Sequence, residues 1–182
     1  MRRPTIFEFL NKQPALSGKK VRLRPRGPED AADEYRWRTD DELCRLDATV
    51  PLAYTFKEFL ERYSLELEYP GLTCNLAIDT LDGMHIGDCS LFNISHFNDS
   101  AEVGIMIGDK KYWGQGYGAD ALLTFLSYIF QAPGVNKVLL RTLECNARAQ
   151  KCFEKCGFKP CGSLIRGEHR FVLMEVERQQ PL

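Results

Sequence analysis

The segment Trp113-Gly114-Gln115-Gly116-Tyr117-Gly118 constrains this chain more than any other. It stands between an apolar alternating run, residues 101–107, and an amphipathic helical pattern over residues 117–130. Three glycines at alternate positions leave the backbone bare, so its amide groups can approach an anion. The helix behind them adds the positive end of its dipole. Strand, bare turn and helix N-terminus in that order make a pyrophosphate cradle. The third glycine comes one residue too early for the dinucleotide fingerprint, and no Gly-Lys-Ser/Thr follows to make a P-loop. A tight turn that needs glycines for its own geometry reads the same way.

The rest of the pattern is that of one α/β domain with a mixed sheet. Val21 to Pro25 alternates like a strand, and Pro28 with Glu29 and Asp30 opens a helix. Thr55-Phe56-Lys57-Glu58 is a capping box, followed by the apolar stripe Phe56, Phe59, Leu60, Tyr63 and Leu67. Residues 73–79 and 84–94 form a hairpin through Asp82-Gly83. In strand 101–107, Val103, Ile105 and Ile107 share one face, and Glu102, Gly104 and Met106 share the other. A buried strand spans Lys137 to Glu144, and a helix from Asn146 to Cys156 stops at Gly157. A final hairpin covers 160–165 and 169–177. The order is β-α-α-β-β-β-α-β-α-β-β. Residues 1–18 read as an N-terminal extension, with one short helix ending near Ser17-Gly18. Residues 19–182 form the single domain.

Charge narrows the functional classes. Lysine plus arginine number 24 and aspartate plus glutamate 25, a balance that argues against a nucleic-acid binder. The regions differ: residues 1–38 carry 10 basic and 5 acidic groups, residues 39–110 carry 4 and 14, and residues 111–182 carry 10 and 6. An acidic middle suits a cation and a basic end suits a phosphate. Seven cysteines without a C-x-x-C pair or a histidine partner argue against a metal site and for reduced thiols in the cytoplasm. Glu8 and Asn11 interrupt the only apolar run near the start, and no stretch is long enough to span a membrane.

From Ala101 to Phe158 the sequence resembles the GNAT acetyltransferase superfamily. That family's acyl-CoA loop, Gln/Arg-x-x-Gly-x-Gly/Ala, falls here on Trp113 to Gly118. Asn146-x-x-Ala149-x-x-x-x-Glu154-Lys155-x-Gly157-Phe158 resembles its next block. Val21 to Pro25, Glu29-Asp30 and Trp37 are similar to the branch holding the ribosomal-protein N-terminal acetyltransferases and relatives acting on small amines. The resemblance covers about residues 20–178.

The resemblance implies a largely antiparallel sheet splayed after its fourth strand, residues 101–107, with about four flanking helices. It implies acetyl-CoA as acyl donor. The pantetheine arm would pair with Ile105, Met106 and Ile107, and the pyrophosphate would rest on Trp113, Gly114, Gln115, Gly116, Tyr117 and Gly118. Asn146 would lie beside that arm, although an N-cap role explains it equally well. Arg148 and Lys151 are close enough in sequence to help with phosphates, with solvated surface as the plainer reading. An amine must lose a proton before it can attack, and Glu102 is the expected base, with an edge-of-sheet salt bridge as the alternative. The backbone near Ile105 would serve the oxyanion. Trp37, Asp47 and Tyr54 would line the acceptor pocket, with Asp40, Asp41 and Glu42 as further acidic residues. His85 and His169 are lesser candidate bases. Two departures stand out: Phe153 replaces the tyrosine that protonates the thiolate in many members, and Trp113 replaces Gln or Arg. The expected function is transfer of an acetyl group to a primary amine, of a protein N-terminus or a small molecule. The alternative is a non-catalytic acyl-CoA-binding domain. No membrane partner is expected, and family analogy allows a homodimer through the last strands.

Overall fold

Alternating apolar positions place eight strands in one sheet, ordered β1-β2-β3-β4-β5-β6-β8-β7. The computed structural model describes residues 15–95 and 97–179. The strands are β1 Leu16–Ser17, β2 Val21–Pro25, β3 Cys74–Thr80, β4 His85–Ser95, β5 Ser100–Ile107, β6 Lys137–Leu143, β7 Lys159–Arg166 and β8 His169–Glu177. Every neighbouring pair is antiparallel except β5 with β6. Among the described residues five α-helices accompany them: α1 Ala31–Arg38, α2 Asp41–Leu46, α3 Phe56–Glu68, α4 Tyr117–Ile129 and α5 Ala147–Lys155.

Local chemistry explains the boundaries. Thr55 and Glu58 cap α3 reciprocally, as the capping box requires. Asp40 accepts from Glu42 N and Leu43 N and starts α2, a short helix that the apolar pattern does not announce. Asn146 Oδ1 accepts from Ala149 N and starts α5. Near the start of the described chain, Leu16–Ser17 is an edge strand pairing with Leu23 and Arg22, where the sequence suggests a helix end. The rest of that expected helix lies outside the described residues. The register is held there by Asp120 of α4, which accepts from Lys19 N, Lys20 N and Val21 N at 3.1, 2.7 and 3.2 Å.

The main core lies between the sheet and α4 with α5. Leu122, Phe125 and Ile129 pack on Leu23, Ile78, Ile86, Leu91 and Val138, all buried. A smaller cluster joins Ala31 of α1 to Phe59 and Tyr63 of α3, with Tyr35 and Tyr54 beside it. Of the expected α3 stripe, Phe56 and Leu60 are partly exposed, because α3 packs chiefly on α1 and touches the sheet little.

Ion pairs fasten α1 to the sheet. The Arg24 guanidinium reaches Asp30 at 2.7 Å through both terminal nitrogens and Asp79 at 2.7 and 3.0 Å. Both carboxylates are buried. Burial pushes the Asp30 carboxyl up, but hydrogen bonds from Arg24 and Gly27 N outweigh it and hold it below the usual carboxylate range. A depressed folded-state value stabilises the protein above the ordinary carboxylate pKa, and that contribution is lost as the pH falls through the depressed value. His85 adds to this knot, with Nδ1 3.4 Å from both Asp30 and Asp33 and Nε2 at Gly87 O.

Two outcomes are expected. Arg24→Met strands two buried carboxylates and should cost about 3–5 kcal/mol at pH 7 in urea unfolding. The cost should shrink near pH 4, where the unpaired carboxylates take up protons. Gly108→Ala would set a methyl group 2.1 Å from Cδ2 of Trp37, a residue only 2% exposed, and should lower stability by about 1–3 kcal/mol in thermal unfolding.

Candidate active site

The site begins where the sheet opens. Strands β5 and β6 pair over three positions only, Ser100–Glu102 against Lys137–Leu139. Beyond Glu102 the β6-facing edge of β5 pairs with no strand among the described residues, while β6 continues beside β8 to Leu143. The expected splay is this divergence. The start of α5 borders the gap, with Asn146, Ala149 and Phe153 lining the recesses on both of its sides.

On one side lies a cleft of about 330 Å3 bounded by Ile105–Ile107, the glycine loop and α5. A single 3-10 turn, Lys110–Tyr112, is capped by Asp109 and delivers the loop. Gly114 and Gly116 have φ of +72° and +87°, which only glycine adopts without strain. A Cβ at either would meet nothing within 4 Å, so the loop is bare toward the cleft. Gly116 is the residue before α4, whose first turn lines the cleft through Gly118 and Ala119. Gly118 matters for packing instead. A Cβ there would sit 3.5 Å from Ile107 and 3.7 Å from Cys152, so the small residue lets α4 approach β5 and α5.

Trp113 is pinned on both sides. Its indole N–H donates to Ile107 O at 2.6 Å, and the Arg148 guanidinium stacks 3.3 Å from its ring centroid. Arg148, Lys151 and Lys155 set positive charge along the rim. Gln115 and Tyr117 are not among the cleft-lining residues. Gln115 donates to Lys111 O and its carbonyl accepts from Lys20, while Tyr117 packs edge-on against Tyr112. Bare amides, a helix N-terminus and three cations fit a ligand carrying a pyrophosphate.

On the other side lies a cavity of about 770 Å3. It shares Asp47, Ile105, Met106, Asn146 and Phe153 with the cleft, so the two communicate through the splay. Its floor is one face of β4 and β5. The register pairs Asp88 with Met106, Ser90 with Gly104 and Phe92 with Glu102. Trp37, Arg38 and the end of α2 wall one side, and Arg166, His169 and Phe171 of the last hairpin wall another.

The expected site residues separate here. Trp37 and Asp47 line the cavity, and Trp37 packs its ring on His85 at 4.8 Å. Asp47 is exposed at the cavity's edge, and partial desolvation by the surrounding protein pushes its carboxyl up against the pull of Arg38 and Arg141. Tyr54 lines neither recess: its carbonyl accepts from Tyr35 Oη and its ring carries Arg62 at 4.6 Å, which makes it part of the α1–α3 cluster. Asp40 and Glu42 both grip Lys110, at 2.8 and 2.9 Å, and tie α2 to the turn before the loop. Glu102 lines the cavity with its carboxylate engaged, Oε2 accepting from Asn93 at 2.9 Å and Oε1 lying 3.5 Å from Arg141. His169 lines the cavity, and His85 belongs to the wall behind Trp37. Phe153 is buried and lines both recesses.

Sequence reasoning passed over Asp88. Its Oδ2 is buried and has no hydrogen-bond partner among the described residues, and burial together with Glu34 pushes its carboxyl up to about 6. The strand period held the signal: Asp88 is in phase with Ser90 and Phe92 and out of phase with the buried Cys89 and Leu91. It also passed over Arg38 and Arg141, which face the cavity from α1 and β6.

Known proteins resemble this chain in sequence and in fold. A family model described as an acetyltransferase (GNAT) domain matches residues 20–159. The human protein named alpha/beta-tubulin-N-acetyltransferase 9 is 28% identical over 163 residues, spanning 82% of this chain and 77% of its own. In fold, the chain is similar to a Vibrio cholerae spermidine N-acetyltransferase solved with CoA and spermine, with a TM-score of 0.75 at 21% identity over 86% of this chain and 95% of that one. It is similar also to the aminoglycoside acetyltransferase AAC(6')-Ib, with a TM-score of 0.72 at 20% identity over 87% and 95%. With a family model over most of its length and the splayed sheet and glycine loop in place, the chain belongs to the GNAT acetyltransferase family.

Proposed function

We propose that this acetyltransferase acts on the free α-amine at the start of a protein or peptide, with acetyl-CoA as donor. The observation that carries this reading is the mixed charge of the acceptor cavity. Asp47, Asp88 and Glu102 line it together with Arg38, Arg141 and Arg166. A polyamine or aminoglycoside is cationic along its whole length and calls for an evenly acidic lining. A peptide start carries one ammonium followed by carbonyls and varied side chains, which suits carboxylates and guanidiniums side by side. The name of the human relative, a tubulin N-acetyltransferase, supports a protein acceptor as well.

The residues divide the work between donor and junction. The amides of Gly114 to Gly118 and the side chains of Arg148 and Lys151 would hold the donor's phosphates. The unpaired edge of β5 from Ile105 to Ile107 would hold its amide-bearing arm, because those backbone groups have no strand beside them. Bound there, the donor supplies an activated acetyl thioester. Phe153 fills the junction and excludes water from it without offering a proton, and a thiol with a pKa of about 8.5 leaves without strong acid help. Asn146 caps α5 and so sets the height of Phe153 in the gap.

Two measurements follow from this reading. Mass spectrometry of the protein with acetyl-CoA and a panel of peptides, polyamines, aminoglycosides and amino acids should show acetylated peptide N-termini. Intact acetyl-CoA with every amine would favour a binding domain without turnover. Gly116→Val should weaken CoA binding by about tenfold or more in titration calorimetry, because it strains the left-handed residue and fills the bare loop. The strain should also lower its thermal stability by about 1–3 kcal/mol, so binding is compared below the unfolding transition.

A further inference from the structure

The acceptor cavity holds a carboxylate with one oxygen unpartnered. Asp88 lies mid-strand in β4, partly buried, with its Oδ2 enclosed and the rest of the residue open to the cavity. Its Oδ2 is buried without a hydrogen-bond partner among the described residues. Such an atom is costly to keep, which makes it a sign of a ligand that supplies the missing donor. The neighbouring charges point the same way. Glu34 of α1 and Asp47 beyond α2 oppose its ionisation, and Arg38 of α1 and Arg26 after β2 favour it. Arg26 is itself spent on Glu34 at 3.1 Å and Glu66 at 3.4 Å, and Arg38 leans on Glu34 at 3.6 Å. Arg26 and Arg38 are thus already engaged by Glu34, and Arg141 is shared between Asp47 and Glu102, so among the described residues Asp88 has no cation of its own.

Position then separates Asp88 from Glu102. The residue opposite Asp88 is Met106, which lines both the donor cleft and the acceptor cavity. Glu102 stands opposite Phe92, four residues further along and about 13 Å away at the usual rise per strand residue. Glu102 is also occupied by Asn93 and Arg141, whereas Asp88 Oδ2 is free.

We infer that Asp88 receives the acceptor's ammonium group and takes its proton. This rests on the proposed amine acetylation and names the residue that prepares the amine. One N–H bond of the ammonium breaks, its electron pair stays on nitrogen as the attacking lone pair, and the proton forms an O–H bond on Asp88. The raised value of about 6 fits this role. It lies about two units below an α-ammonium, so that proton moves against an equilibrium of roughly a hundredfold. From a polyamine or lysine near 10.4 the same transfer is opposed more than ten-thousandfold.

The test is the pH dependence of kcat/KM on a peptide substrate for the wild type, Asp88→Asn, Asp88→Glu and Glu102→Gln. The wild-type profile should be a bell, rising through about 6 as Asp88 ionises and falling near 8 as the α-amine loses its charge. Asp88→Asn should lose a hundredfold or more and lose the acidic limb, Asp88→Glu should recover part of both, and Glu102→Gln should keep the limb. A limb that survives in Asp88→Asn but vanishes in Glu102→Gln overturns the inference while leaving the peptide reading intact. An alkaline limb near 10 overturns the peptide reading while the acidic limb still reports on Asp88. Should no amine turn over, calorimetric binding of the peptide to CoA-saturated protein decides: equal affinity for wild type and Asp88→Asn means that water alone satisfies Oδ2, and the inference falls. Folding is checked by thermal unfolding at pH 8, where Asp88→Asn should equal or exceed the wild type. A carboxyl raised in the folded state adds stability below its ordinary value and loses it as the pH rises through about 6.

Discussion

Everything functional in this protein depends on two strands that part company. β5 is held by β4 along most of its length, and β6 is held by β8 along all seven of its residues. Between them the parallel pairing lasts three positions and stops. The start of α5 lies along the opening, its first turn ordered by Asn146. The gap leaves a strand edge without a partner, and an unpaired edge inside a domain is a binding surface for anything that offers matching amides. It also joins two recesses that would otherwise lie on opposite faces of a continuous sheet.

Each recess has its own electrostatic character. On the side of the glycine loop, left-handed glycines strip the loop of side chains, and Arg148, Lys151 and Lys155 line the rim. On the other side, charges of both signs face one another, and α1, which brings Arg38 to them, is anchored by the Arg24 knot. The knot and the Arg26–Glu34–Tyr63 contacts hold α1 and α3 where hydrophobic packing is thin. Buried ion pairs of this kind contribute little net stability, but they hold a wall at a defined height.

Much of the architecture was legible in the residues. Capping boxes, glycine stops and alternation placed nearly every strand and helix within a residue or two. The glycine loop was legible because left-handed backbone demands that residue type. Three features were not. Helix α2 has no periodic stripe, and it forms because Asp40 caps it and pairs with Lys110 of a distant turn. Leu16–Ser17 is a strand because Asp120, a hundred residues away, takes the amides of the turn beside it. Tyr54 is drawn away from the cavity by Tyr35 and Arg62, contacts that no local spacing reveals.

The sequence by itself determined the order of elements, the family and the bare glycine loop, because each follows from patterns within a few residues along the chain. Only the tertiary structure decided which carboxylates are spent and which is free. Glu102 and Asp88 look alike in the sequence, each a lone acid in an apolar strand. Arg141 comes from a strand thirty-nine positions beyond Glu102, and Asn93 from the strand before it, and together they occupy it. Asp88 receives no such partner, and its burial among Glu34, Asp47 and two shared guanidiniums is a property of three-dimensional packing alone. Desolvation and long-range charge are set by what surrounds an atom in space, and the linear order of residues does not contain that information.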